Sequence, residues 1–249
     1  MANRLNGKRI IITGAASNIG KQAAKMFIEE GARVVIGDID DKAGQATASE
    51  LGADFVKVDV TLEESVKAFI EAAVQKLGGL DVLVQNAGLQ RSGGVTEFSS
   101  RDWDALFAVN SRAHFFGVKY AVPHLRKSGK GSIVNTSSLA GQRGGPGLTA
   151  YSASKGAVIA FGTALAMELA PDNIRVNTIC PGWVDTDFNQ PAIDFMGGRS
   201  TQADVVKRIV PLQRQAKSEE IAPLFVYLAS DESSYVTAQA MTIDGGVYN

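Results

Sequence analysis

Short runs of β-branched and apolar residues recur along the chain, separated by longer stretches in which apolar positions follow a helical period. The runs Arg9–Thr13, Arg33–Gly37, Phe55–Val58, Val82–Gln85, Ser132–Asn135, Arg175–Ile179 and Ala240–Ile243 read as strands. Helices are predicted near 18–30, 42–51, 62–77, 100–127, 150–170 and 217–229. Alternation of this kind implies parallel strands joined by helical crossovers. The expected fold is α/β, a doubly wound Rossmann-like domain whose seven-stranded, mainly parallel sheet carries helices on both faces. Local signals agree: Thr61-Leu62-Glu63-Glu64 has capping-box spacing, and Ser99-Ser100-Arg101-Asp102 a looser version of it. No repeat or linker interrupts the pattern, so one domain spanning 1–249 is expected. Residues 185–216 break the alternation, with Pro191, Gly197-Gly198 and Pro211. Because they leave the carboxyl end of the sixth strand, where ligands bind in open α/β sheets, they read as a mobile helical lid, with a static packing element as the alternative.

Composition narrows the class of ligand. The 249 residues are 45% hydrophobic, enough for a large core, and the formal net charge is -1. No long basic stretch appears, which argues against nucleic acid or an anionic membrane surface and for a small molecule. Cys180 is the only cysteine and sits in the apolar Ile179-Cys180-Pro181, so it reads as a core residue. No intrachain disulfide can form, and a reducing, cytoplasmic setting is expected. The first apolar run, Ile10-Ile11-Ile12, lacks the pattern of a secretory leader. The longest apolar stretch, Ala157–Met167, is shorter than the ~20 residues that span a bilayer and reads as a buried helix. No metal site is expected.

Thr13-Gly14-Ala15-Ala16-Ser17-Asn18-Ile19-Gly20 follows the first strand and opens the first helix. Free backbone N–H groups and the helix dipole favour a pyrophosphate there, although many strand-to-helix turns use glycine for geometry alone. Asp38 ends the second strand, where a carboxylate accepts hydrogen bonds from ribose hydroxyls and repels a 2′-phosphate. NAD is therefore favoured over NADP. The alternative is that Asp38 caps the next helix, a task Asp40 and Asp41 can also perform.

Tyr151 and Lys155 stand four apart in a helical pattern, and Ser138 closes an apolar run upstream. Positions i and i+4 share a helix face. A free phenol has a pKa of about 10, and a nearby cation lowers an acid by about 1–3 pKa units, so this pair suits proton exchange with an alcohol. Taken alone, the pair also fits the surface of any helix.

With Gln85-Asn86-Ala87-Gly88, Asn110, Pro181-Gly182-Trp183-Val184-Asp185-Thr186 and Ile243-Asp244-Gly245-Gly246 added in order, the chain resembles the short-chain dehydrogenase/reductase family over essentially its whole length. The resemblance implies that Tyr151 is the general acid/base, Ser138 orients the substrate oxygen, and Lys155 tunes Tyr151 and holds the nicotinamide ribose. Asn110 would complete the set by holding a water chain. Gly14, Ser17, Asn18, Ile19, Gly20 and Asp38 would bind NAD with Asp59 and Val60 at adenine, Asn86, Ala87 and Gly88 along adenosine, and Thr186 on the carboxamide beside Pro181, Gly182 and Val184. As residues alone, Asp59 and Thr186 also fit helix caps, and Asn110 a satisfier of backbone groups. Two positions depart from the family pattern: Asn18 replaces a glycine and Gln85 an asparagine. Asn tolerates left-handed backbone, so the turn is expected to survive.

The implied reaction is hydride exchange between a secondary alcohol, or its ketone, and NAD(H). At the rim, Gln90-Arg91 and Gln142-Arg143 suit a polyol, sugar or carboxylate, while Trp183 and Phe188 suit an alicyclic or aryl alcohol. Reduction of a 3-oxoacyl thioester is the alternative activity, and a catalytically silent NAD sensor the alternative class. The resemblance further implies a homotetramer packed through the Ala157–Met167 helix and its neighbour.

Overall fold

The structure is a computed structural model and describes residues 3–248. Seven strands form one sheet: β1 (Arg9–Thr13), β2 (Arg33–Asp38), β3 (Asp54–Lys57), β4 (Val82–Gln85), β5 (Gly131–Thr136), β6 (Ile174–Pro181) and β7 (Ala240–Ile243). Their order is β3-β2-β1-β4-β5-β6-β7. Every pairing is parallel. The chain reverses its winding between β3 and β4, and the carboxyl ends of β1 and β4 flank that switch point, where doubly wound sheets bind ligands.

Side chains alternate across a strand, and the two faces of the sheet hold two cores. Ile10, Ile12, Val34 and Ile36 face α1 (Asn18–Glu29), α2 (Asp41–Leu51) and α9 (Ser218–Ala229). Ile11, Val35, Leu83 and Ile133 face α3 (Glu63–Leu77), α5 (Ala113–Ser128) and α6 (Thr149–Leu169). Helix α6 with its 3₁₀ extension, Thr149–Asp172, is long and apolar enough by length and composition to cross a membrane. Here it packs along the sheet and buries Tyr151, Ser154, Lys155, Val158, Leu165 and Ala166.

Two expectations need correction. The stretch predicted as one helix over 100–127 is α4 (Ser100–Phe107) and α5 joined by a π-helical turn, Ala108–Arg112. Apolar periodicity continues through such a turn, so the sequence pattern conceals it; π-turns concentrate at functional sites, and this one carries Asn110. The capping box at Thr61 does not form. The Thr61 hydroxyl and N–H both donate to Asp59 Oδ1, at 2.7 and 2.9 Å, and α3 starts at Glu63 after an uncapped Leu62. The Ser99 signal holds, with Asp102 N–H donating to Ser99 Oγ at 3.0 Å.

The insert holds α7 (Gln190–Phe195) and α8 (Arg199–Ile209). A parallel bridge between Val184 and Ala216 closes its base. Asp185 N–H donates to the Ala216 carbonyl, and Ala216 N–H to the Trp183 carbonyl, both at 2.9 Å. The segments on either side of α7 and α8 are thus clamped to each other.

Candidate active site

A cleft of about 440 Å³ runs across the carboxyl ends of β1, β2, β4, β5 and β6. At one end Asp38 terminates β2 and accepts from the N–H groups of Ala16 (3.0 Å) and Asp40 (3.1 Å). Asp40, in turn, caps α2 by accepting from Ala43 N–H. The helix cap is therefore Asp40, while Asp38 holds the glycine turn and faces the cleft.

The turn is shaped by close approach. A Cβ on Gly20 would collide with the Gly14 carbonyl oxygen and come within 2.6 Å of Asn86 Nδ2. Asn18 has φ +51, the left-handed conformation a glycine would otherwise supply. Helix α1 has no acidic residue in its first turn, and Ser17 makes no side-chain cap bond. Gly14, Ser17, Asn18, Ile19 and Gly20 all line the cleft, and a helix N-terminus of this kind suits a pyrophosphate. From β4, Asn86 Nδ2 donates to the Gly14 carbonyl at 2.8 Å, which locks the turn against Ala87 and Gly88. Asp59 and Val60 line the same end, with Asp59 Oδ1 held in its turn by Thr61.

At the other end Ser138, Tyr151, Lys155, Pro181, Gly182, Val184 and Thr186 converge. The 3₁₀ turn after β5, Leu139–Gly141, lies directly on α6 because Gly141 has no side chain: a Cβ there would meet the Lys155 backbone at 2.7 Å. Ser137 reinforces that contact, its hydroxyl donating to the Lys155 carbonyl at 2.7 Å. Tyr151 is 7% exposed and Lys155 2%. Burial pushes the Tyr151 phenol up to about 12, against the opposing influence of the Ser138 hydroxyl. Burial pulls the Lys155 ammonium down to about 8. The ammonium donates to the Thr136 carbonyl at 2.9 Å. The expected lowering of the phenol by Lys155 is therefore absent here: desolvation outweighs it, and the ammonium is turned to backbone. Thr186 makes no side-chain cap bond to the turn it precedes.

Asn110 stands behind the cleft wall. Its Oδ1 accepts from Leu89 N–H (2.7 Å), while its Nδ2 faces the Leu89 carbonyl (2.9 Å) and Ser154 Oγ (3.0 Å). It satisfies backbone groups and fastens the loop after β4 to α6. Gln85 Nε2 donates to Asn135 Oδ1 at 3.1 Å in the interior. Neither Ser154 nor Thr136 carries a sequence signal, because each is recruited by a partner remote in the chain.

The rim residues lie elsewhere. Gln142 Oε1 accepts from the Thr242 hydroxyl, Arg143 donates to the Val247 carbonyl, and Arg91 donates to the Gln90 carbonyl and pairs with Asp102 at 3.6 Å. None of these side chains lines the cleft, nor does Trp183; Phe188 and Asn189 do. Cys180 is fully buried, and burial raises its thiol to about 11, as suits a core residue.

A family model described as "Enoyl-(Acyl carrier protein) reductase" matches residues 14–248. A 3-oxoacyl-[acyl-carrier-protein] reductase of Thermotoga maritima is 42% identical, covering 98% of this chain and 99% of its own. The chain belongs to the short-chain dehydrogenase/reductase family. It is an oxidoreductase of that family. A 2,5-dichloro-2,5-cyclohexadiene-1,4-diol dehydrogenase of Sphingobium indicum is 41% identical over 99% of this chain and 98% of its own. The crystal structure of levodione reductase superposes with a TM-score of 0.92 at 28% identity, covering 97% of each chain.

Proposed function

We propose that this short-chain dehydrogenase/reductase oxidises a secondary alcohol, or reduces its ketone, with NAD(H), and that the whole chain is one catalytic domain. The observation that carries the reading is the convergence of Ser138, Tyr151 and Lys155 on a cleft that ends at Asp38. Gly14, Ser17, Asn18, Ile19 and Gly20 would hold the pyrophosphate, Asp59 and Val60 the adenine, and Asn86, Ala87 and Gly88 the adenosine side. Tyr151 and Lys155, with Pro181, Gly182, Val184 and Thr186, would hold the nicotinamide end. When bound, the dinucleotide supplies the hydride acceptor or donor.

Ser138 steadies the substrate oxygen. As the C–H bond gives up its electron pair as hydride, Tyr151 takes the hydroxyl proton, and in reduction it returns one. In the loaded site Lys155, joined by the positive charge of NAD+, would lower the phenol from its desolvated value so that it can accept the proton. Asn110 fixes the loop that carries Leu89 against α6 and so positions both catalytic side chains. Asp38 favours NAD over NADP, since its carboxylate opposes a 2′-phosphate.

The substrate is a small polyol, a sugar, or a cyclic or aryl alcohol; relatives named for a cyclohexadienediol and for levodione support the cyclic choice. A second reading, reduction of a 3-oxoacyl thioester, is favoured by the Thermotoga maritima relative. A homotetramer is proposed through α6 and its neighbours, where Phe115 and Met167 are exposed. The buried free thiol of Cys180 accords with a reducing compartment, the cytoplasm. NADH formation across secondary alcohols, with NADP and 3-oxoacyl thioesters alongside, tests the reading. Turnover of alcohols with NAD is expected; turnover confined to thioesters with NADPH would overturn it.

A further inference from the structure

The substrate end of the cleft is apolar in a specific way. Tyr151 belongs to a small cluster with Leu106 and Ala150, against which Leu89, Leu148 and Phe188 pack. The Phe188 ring lies 6.4 Å from the Tyr151 ring, centroid to centroid, tilted by 58°. The same ring reaches across the cleft: a point one Cβ bond from Gly88 is 3.5 Å from both Phe188 carbons and Lys155 Nζ. Phe188 therefore stands on the insert within reach of the catalytic side chains.

Polar groups for a second or third hydroxyl are scarce there. Asn189 Nδ2 is committed to the Val184 carbonyl at 2.7 Å. Gln142, Arg143 and Arg91 are committed outside the cleft. The Ser138 and Tyr151 hydroxyls serve one oxygen. A polyol or sugar entering this end would leave hydroxyls stripped of water and without partners, which is penalised, whereas a ring would bury apolar surface against Phe188 and Leu89.

We propose that the substrate is a compact alicyclic or aryl secondary alcohol or its ketone, and that Phe188 is the specificity-determining residue that packs on the ring. This inference rests on the reading that the site exchanges hydride with an alcohol. It excludes the polyols and sugars that reading admits.

The test uses the full-length protein with NAD+ and two sets of alcohols, 1-indanol and cyclohexanol against xylitol and sorbitol. A calorimetric titration of 1-indanone into the protein with NAD+ runs in parallel. The ring alcohols are expected to exceed the polyols by about tenfold or more in kcat/KM. Phe188→Ala should lower kcat/KM for 1-indanol by about 10–100-fold, mainly through KM, and weaken 1-indanone to match, with Phe188→Leu in between. NADH affinity and the thermal midpoint of the variants should stay near the parent's, which separates loss of a wall from loss of the fold. Equal or faster turnover of xylitol, or 1-indanone affinity unchanged in Phe188→Ala, would overturn the proposal. Should no alcohol turn over, the hydride-transfer reading fails, and the indanone titration still decides this one: binding lost in Phe188→Ala supports it, and no binding to the parent overturns it.

Discussion

The two ends of the cleft are built by different means. At the Asp38 end the chain presents backbone: a turn so tight that Gly20 faces the Gly14 carbonyl, a left-handed Asn18, and an uncapped helix start. At the Phe188 end it presents side chains drawn from the loop after β4, from α6 and from the insert. Backbone recognition needs a few residues at fixed spacing and tolerates little change. Side-chain recognition assembles residues far apart in the chain, and each wall can be exchanged without disturbing the sheet. The first end suits a constant cofactor and the second a varied substrate.

The contrast can be broken first at Gly20. Gly20→Val should abolish measurable NADH binding, because its side chain would occupy the space of the Gly14 carbonyl; fluorescence titration at unchanged secondary structure checks this, and retained affinity would deny that backbone approach builds the site.

A second, smaller effect lies in the interior. His114 on α5 is buried, and burial, joined by the nearby charge of Lys155, drives its pKa down to about 3. Between the ordinary value of 6.5 and about 3 the unfolded chain takes up a proton that the folded chain refuses, so stability falls as pH falls through that window. The slope from this residue approaches about 1.4 kcal/mol per pH unit. His114→Leu should flatten it in urea unfolding series at pH 7, 6, 5 and 4. A slope identical to the parent's would show that His114 is not the source.

Asp38→Ser is expected to narrow the NAD/NADP ratio of kcat/KM by about tenfold or more, one charge removed from the ribose position. The smallest change sharpens the backbone half of the contrast: Asn18→Gly should leave NADH affinity within about twofold, since glycine adopts the same positive φ without strain. A large loss would show that the Asn18 side chain itself binds.

These differences also explain what could be read from sequence. The strands, the helices and the clamped insert at 185–216 were legible, because each depends on local periodicity or on turn residues. The residues that line the Asp38 end of the cleft were legible for the same reason. The π-turn at Ala108–Arg112 was not, since helical periodicity runs through it, and neither was the absence of a Thr61 cap, since Asp59 captures the threonine first. The electrostatics of the Tyr151–Lys155 pair were misjudged. Spacing gives proximity on a helix face, but burial and the Thr136 carbonyl decide where the charge acts, and both depend on β5 packing over α6. Gln142 and Arg143 fall near the rim in sequence and are drawn away by the C-terminal segment, a contact spanning about a hundred residues.

The central claim is that Tyr151 moves the proton while the cofactor is held chiefly by the other residues of the cleft. It is tested most directly by comparing Tyr151→Phe with the parent in NADH titration and in NAD-dependent turnover of the best alcohol. The account predicts turnover reduced by about a hundredfold or more, with NADH affinity little changed. Turnover near the parent's level, with NADH bound equally well, would contradict it and move the search for the acid/base to another group in the cleft.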